Sequence, residues 1–194
     1  MWHKKGVIGP RPKRTPRPLD ESKLRELALA YVGRFATTRG KLGDYLNRKI
    51  RERGWAGDAE PHVAALADHF ARQGYIDDCG YALAKAQGLV ARGYGKRRLI
   101  EKLRIAGVDE TDGLAARDLA EREAVAAALR FAERRRLGPF AAQGDRDRKD
   151  QQKAIAAMIR AGHGYALARA IVLLNPGEEV DPGILEEKVR RDAA

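Results

Sequence analysis

Asp77 and Asp78 are the residues most suggestive of chemistry in this chain. Two adjacent carboxylates can share a proton or hold a divalent ion. They can also stand before a helix and accept its unpaired amides, with the helix dipole favouring their charge. The helical pattern restarts at Cys79, so capping is the reading we adopt for both. His62 and His69 lie seven apart on one helical stretch, with Cys79 further on, but no second cysteine or paired ligand motif completes a zinc set, and we expect no metal. A nucleophilic role for Cys79 would need a base and an oxyanion site that nothing supplies, so we place it as a small buried side chain. Gly93-Tyr94-Gly95-Lys96-Arg97 resembles a phosphate loop only superficially. It lacks the Gly-x-x-x-x-Gly-Lys-Ser/Thr spacing and a preceding strand, and its glycines are expected to turn the chain between helices. No catalytic residue and no cofactor are expected; the chain should work by binding.

What remains is charge. The 194 residues carry a net +11, which favours an anionic partner such as nucleic acid or an acidic protein surface. The excess is local. Residues 1–19 hold six basic groups and no acid, residues 20–78 ten of each, and residues 79–107 seven basic groups against Glu101 alone. Within that last stretch Arg92, Lys96, Arg97, Arg98, Lys102 and Arg104 are the first candidates for an anion-facing surface. Arg134, Arg135 and Arg136, with Arg130 before them and Arg146, Arg148 and Lys149 after, form a second basic group, either a binding face or plain solubility.

The elements that must position these side chains are helices. Apolar residues make up 44% of the chain, yet no run approaches the roughly 20 apolar residues of a membrane span. No secretory segment is visible, and the lone Cys79 suits a reducing cytoplasm. Pro10, Pro12, Pro16 and Pro18, interleaved with Arg11, Lys13, Arg14 and Arg17, predict an extended basic arm over residues 1–19. Leu24, Leu27, Ala28, Tyr31, Val32 and Phe35 then make one helical stripe behind Asp20 or Ser22 as cap. Thr37 or Thr38 caps a second helix with Leu42, Tyr45, Leu46 and Ile50, stopped by Gly54; a third, preceded by Asp58 and Pro61, runs through Val63 and Phe70 to Gly74. The pattern restarts twice: Leu99, Leu103, Gly107 and then Ile155, Ile159, Gly162 echo Leu46, Ile50, Gly54 at separations of 53 and 56 positions between corresponding residues. Period-2 alternation is absent. The expected fold is all-α: three tandem three-helix repeats at 20–76, 77–119 and 120–175, stacked into an elongated, curved array, with an acidic tail at 176–194. The aromatic residues Tyr31, Phe35, Phe70, Tyr75 and Tyr81 are all assigned to the core.

One stretch goes beyond patterning. Gly74-Tyr75-Ile76-Asp77-Asp78, Tyr81-Ala82, Arg92-Gly93-Tyr94-Gly95-Lys96-Arg97-Arg98-Leu99-Ile100 and Leu103-Arg104-Ile105-Ala106-Gly107-Val108 resemble, in that order, the central signature of the RecX family of recombination regulators. Tyr81 stands for the family's usual phenylalanine. Upstream, Ala28-Leu29-Ala30-Tyr31 with Thr38-Arg39, Leu42 and Leu46 is similar to the family's first unit. The resemblance covers roughly residues 22–175, strongest over 63–108 and weakest over 109–150. It implies a non-enzymatic, cytoplasmic modulator that binds the RecA nucleoprotein filament and mainly inhibits its recombinase, ATPase and coprotease activities in DNA repair and the SOS response. It also implies affinity for single- and double-stranded DNA without sequence preference. On that reading the two basic groups are DNA- and filament-binding, and a monomer is the default state. The rival is a helix-turn-helix-like DNA-binding module with no RecA partner.

Overall fold

The computed structural model describes residues 17–142 and 147–191, so most of the basic arm (residues 1–16) and Arg146 lie outside the described residues. Among the described residues there are ten α-helices, one short 3-10 turn and no strand.

The first three helices are α1 (Glu21–Val32), α2 (Arg39–Arg53) and α3 (Val63–Arg72). Asp20 and Thr38 cap the first two, accepting the amides of Lys23 at 2.8 Å and Lys41 at 3.1 Å. The stripe read from sequence turns inward: Leu24, Ala28, Leu42, Leu46, Ala67 and Phe70 close one apolar cluster. Asp58 does not cap α3, which starts after His62 without a side-chain cap.

A second cluster lies among α4 (Asp78–Ala91), α5 (Lys96–Ile105) and α6 (Leu114–Arg122), around Ala82, Ala86, Leu99, Leu103, Ala116 and Ala120. Alanines dominate where α4 packs on α6, so little but methyl groups separates the two backbones. The third cluster joins α7 (Ala124–Arg135), α8 (Arg148–Arg160) and α9 (Tyr165–Val172) through Phe131, Met158, Ala168 and Ile171.

Both ends of the chain extend this plan. The stretch expected as a tail contains a further helix, α10 (Pro182–Arg191), packed on α7 and α9 with Leu185 buried in the third cluster. At the other end Leu19, placed in the arm by sequence, is fully buried. Its amide donates to the Gly54 carbonyl at 2.9 Å and its carbonyl accepts from Ala56 at 2.8 Å, an isolated bridge alongside Trp55.

Neighbouring clusters meet through a similar backbone contact used twice. At the first joint the start of α2 sits on the turn after α5: the Thr38 hydroxyl donates to the Ala106 carbonyl, and Gly40 lies so close that an added Cβ would fall 2.7 Å from the Gly107 Cα. At the second joint the start of α5 sits on the turn after α8. Gly95 donates to Ala161 at 3.0 Å and Arg97 to Gly162 at 3.2 Å, and a Cβ on Gly95 would lie 2.3 Å from the Gly162 oxygen. Such approaches exclude every side chain larger than hydrogen.

Candidate nucleic-acid interface

The loop between α4 and α5 brings the two basic groups of the sequence together. Arg92 follows α4, where a cation is favoured by the helix dipole, and its Nε donates to the Gly88 carbonyl at 2.8 Å. Arg134, in the last turn of α7 and 42 residues away in sequence, donates Nη1 to the Arg92 carbonyl. Both guanidinium groups lie 6.0 Å from the centre of the Tyr94 ring. Arg134 also sits 5.6 Å and Arg135 5.9 Å from the Phe131 ring. Arg136 ends α7 in the left-handed conformation, φ 53°, and is exposed. Stacking on aromatic faces holds these guanidinium groups in place without neutralising them.

Lys96, Arg97 and Arg98 crowd the first turn of α5, the positive end of its dipole, with no acid in that turn. Such a placement is unfavourable unless anions compensate. Two do: Glu121 from α6 reaches Lys96 at 2.6 Å, and Glu101 reaches Arg98 at 2.9 Å. Arg97 is exposed and has no ion pair among the described residues. Arg104, two helical turns on, is also exposed, about 10 Å along the axis on the same face, while Lys102 is half-buried. Arg97 also lines a groove of about 550 Å³ with Lys96, Arg122 and Arg190, opposed by Glu121 and Glu186. Neither Arg122, flanked by Glu121 and Glu123, nor Arg190, in a net-acidic C-terminal stretch, stands out in the sequence.

Several expectations change. Asp77 caps α4, accepting from the Gly80 amide at 2.8 Å, but Asp78 does not. Its side chain, 4% exposed, accepts from the Arg39 amide at 3.0 Å and Arg39 Nε at 2.9 Å. Arg39 also reaches Asp112, Asp109 at 3.3 Å and Asp68 at 3.7 Å. The bond to Asp78 holds the Arg39 pKa above its usual range against partial desolvation, and the Asp112 amide, with Arg39 behind it, lowers that of Asp109. Cys79 is exposed rather than buried, and its pKa is raised by the bond to Asp112, 3.2 Å away. Phe35 and Tyr75, assigned to the core, are each 56% exposed. They follow the helix stripes into turns, where the stripe no longer faces inward. His62 and His69 line a groove with Glu21 and Trp55, and among the described residues no group of three or more His, Cys, Asp or Glu side chains could hold a metal.

His163 belongs to no motif in the sequence. It is 2% exposed at the second joint, its Nε2 3.1 Å from the Gly93 carbonyl and its ring 5.6 Å from Phe131. Burial lowers its pKa, partly offset by that hydrogen bond, so the neutral ring donates from Nε2.

The geometry defines a class: an all-helical protein that carries a guanidinium cluster over aromatic rings, with no assembled metal site among the described residues. The comparisons narrow it. The chain is 33% identical over 175 residues to "Regulatory protein RecX" of Myxococcus xanthus (strain DK1622), spanning 85% of this chain and 91% of that protein. It is 31% identical over 163 residues to the protein of the same name in Mycobacterium sp. (strain JLS), spanning 81% and 86%. The crystal structure of RecX from Lactobacillus salivarius superposes with a TM-score of 0.53 at 18% identity, over 89% of this chain and 97% of that one, and shares the fold. No protein-family model matches. This chain belongs to the RecX family of regulatory proteins.

Proposed function

We propose that this RecX-family chain regulates by binding, that its partner is the RecA nucleoprotein filament, and that it restrains the filament's recombinase, ATPase and coprotease activities. Family membership supplies the partner. The observation that carries the DNA contact is the convergence of Arg92 and Arg134 on Tyr94, which gathers charge from two distant segments onto one surface. Arg97, Arg104, Arg135 and Arg136 extend it, and Lys96, Arg98 and Lys102 contribute more weakly, the first two because acids partner them. Such a surface engages phosphates by counterion release, without reading bases.

In this reading the chain is a non-enzymatic monomer in the cytoplasm; no helix among the described residues is long and apolar enough to cross a membrane. Three helical units, 20–76, 77–119 and 120–175, lie along the filament groove with the basic residues ahead of Leu19 as an added phosphate contact. Occupying the groove impedes filament growth and ATP turnover. The helix-turn-helix alternative needs the start of α5 free to enter a major groove, whereas its Gly95 and Arg97 amides are bonded to Ala161 and Gly162, which counts against it.

The test is DNA-dependent ATP hydrolysis by the cognate RecA, titrated with this protein between about 50 and 200 mM salt, a range in which phosphate contacts weaken. We expect inhibition that falls as salt rises and is reduced at least tenfold in potency by Arg134→Glu with Arg97→Glu. No inhibition at any salt would overturn the reading.

A further inference from the structure

The outer face of α4 carries a feature the fold does not need for itself. Gly80, Ala84 and Gly88 recur every fourth residue and are all exposed, so one side of the helix is nearly bare backbone over two turns, about 12 Å. Gly80 has an internal reason, since a Cβ there would collide with the Asp77 carboxylate that caps the helix. Gly88 has none: a Cβ there meets nothing within 4 Å, yet glycine inside a helix is less stable than alanine.

This face is the floor of a groove of about 510 Å³ between α4, the α1–α2 turn and the α3–α4 turn. Thr37 stands in its wall, buried, with a hydroxyl that has no hydrogen-bond partner among the described residues. An unsatisfied buried hydroxyl destabilises a protein standing alone. Tyr75 lines one end and Phe35 is exposed on the neighbouring turn. Cations surround the rim: Lys41 and Lys85 lie 4.5 and 5.7 Å from the Tyr81 ring, and Arg92 closes the far end. The one lining acid, Asp77, is held by the Gly80 amide.

We propose that this groove receives an acidic helical segment of the protein partner, a docking surface that adjoins the Arg92–Arg134 cluster at Arg92 and otherwise lies apart from it. The proposal rests on the regulator reading above. A floor without side chains lets another helix approach to the 8–10 Å of close helix pairs, while rim cations match acids on its flanks. The same rim would attract a nucleic-acid strand by charge alone, but a strand gains nothing from a floor free of side chains. Residues 1–16 of this chain are basic and a second copy carries the same rim, so charge disfavours both as occupants.

The experiment measures wild type, Gly88→Leu, Ala84→Leu and Gly88→Ala for affinity to RecA filaments on single-stranded DNA and to the naked DNA alone. Thermal melts accompany them; the mutated positions are exposed, so folding should persist, with Gly88→Ala slightly raised in Tm. We expect the leucine variants to lose filament affinity tenfold or more while naked-DNA affinity stays within twofold, and Gly88→Ala to lose little. Equal loss on naked DNA would assign the groove to nucleic acid and overturn the proposal. So would self-association of the wild type that Gly88→Leu abolishes. Filament binding unchanged in the leucine variants would sink the groove and leave the regulator reading standing. A wild type that does not bind filaments would sink both.

Discussion

At the joint between the first and second clusters, Arg39 gathers Asp68, Asp78, Asp109 and Asp112, and Asp78 is buried beneath it. At the joint between the second and third, Lys96 at the matching start of α5 meets Glu121 alone, both partly exposed. The residue after the glycine turn differs too: Val108 at the first joint, His163 at the second, each donating its amide to the residue five before, Leu103 and Met158, at 3.1 Å. Backbone shape is set by glycine in both places, so the side chains around it are free to differ. They decide the conditions under which each joint holds. The first depends on a buried carboxylate held by Arg39, the second on a buried imidazole that must stay neutral.

The largest effect should come from Arg39→Ala, which leaves the Asp78 carboxylate buried without its partner. Breaking a buried pair costs about 3–5 kcal/mol, and because Arg39 is itself one-third exposed we expect about 3 kcal/mol in urea unfolding. Gly95→Ala attacks the second joint through shape. With no room for the Cβ, the turn after α8 must shift, a loss of about 2 kcal/mol that hydrogen exchange should localise to α8 and α9.

Acid should separate the joints further. The folded-state pKa of His163 lies below its ordinary 6.5, so the unfolded chain binds the extra proton first. The stabilisation from the neutral ring is complete above pH 6.5 and declines as pH falls below it. His163→Val, copying the first joint, should flatten that part of the stability profile; an unchanged slope would refute the assignment. Smallest of all, Lys96→Ala should cost about 0.5 kcal/mol or less, since the pair is exposed and screened.

Helices and caps were legible in the chain because their causes are local: Asp20 and Thr38 stand three residues before the amides they accept, and the stripe of Leu42 and Leu46 repeats at helical spacing. The candidate basic residues were legible as charge. Their arrangement was not, because Arg134 meets Arg92 across 42 residues and Glu121 meets Lys96 across 25. Asp78 looked like a second cap for the same reason: adjacent to Asp77, it shows no local sign of a guanidinium from position 39. Leu19 and α10 were hidden by composition, since proline and net charge dominate the windows around them while Leu19 and Leu185 are what the core takes up.

Leu19 has a consequence for how the first cluster is closed. Its amide occupies the Gly54 carbonyl much as the Arg97 amide occupies that of Gly162. The turn after α2 is thus filled from within the chain, whereas the turns after α5 and α8 take the start of a neighbouring helix. Leu19 therefore closes the first cluster with backbone that a sequence reading assigns to the arm, and Leu19→Pro, which removes the donor to Gly54, is expected to loosen the end of α2.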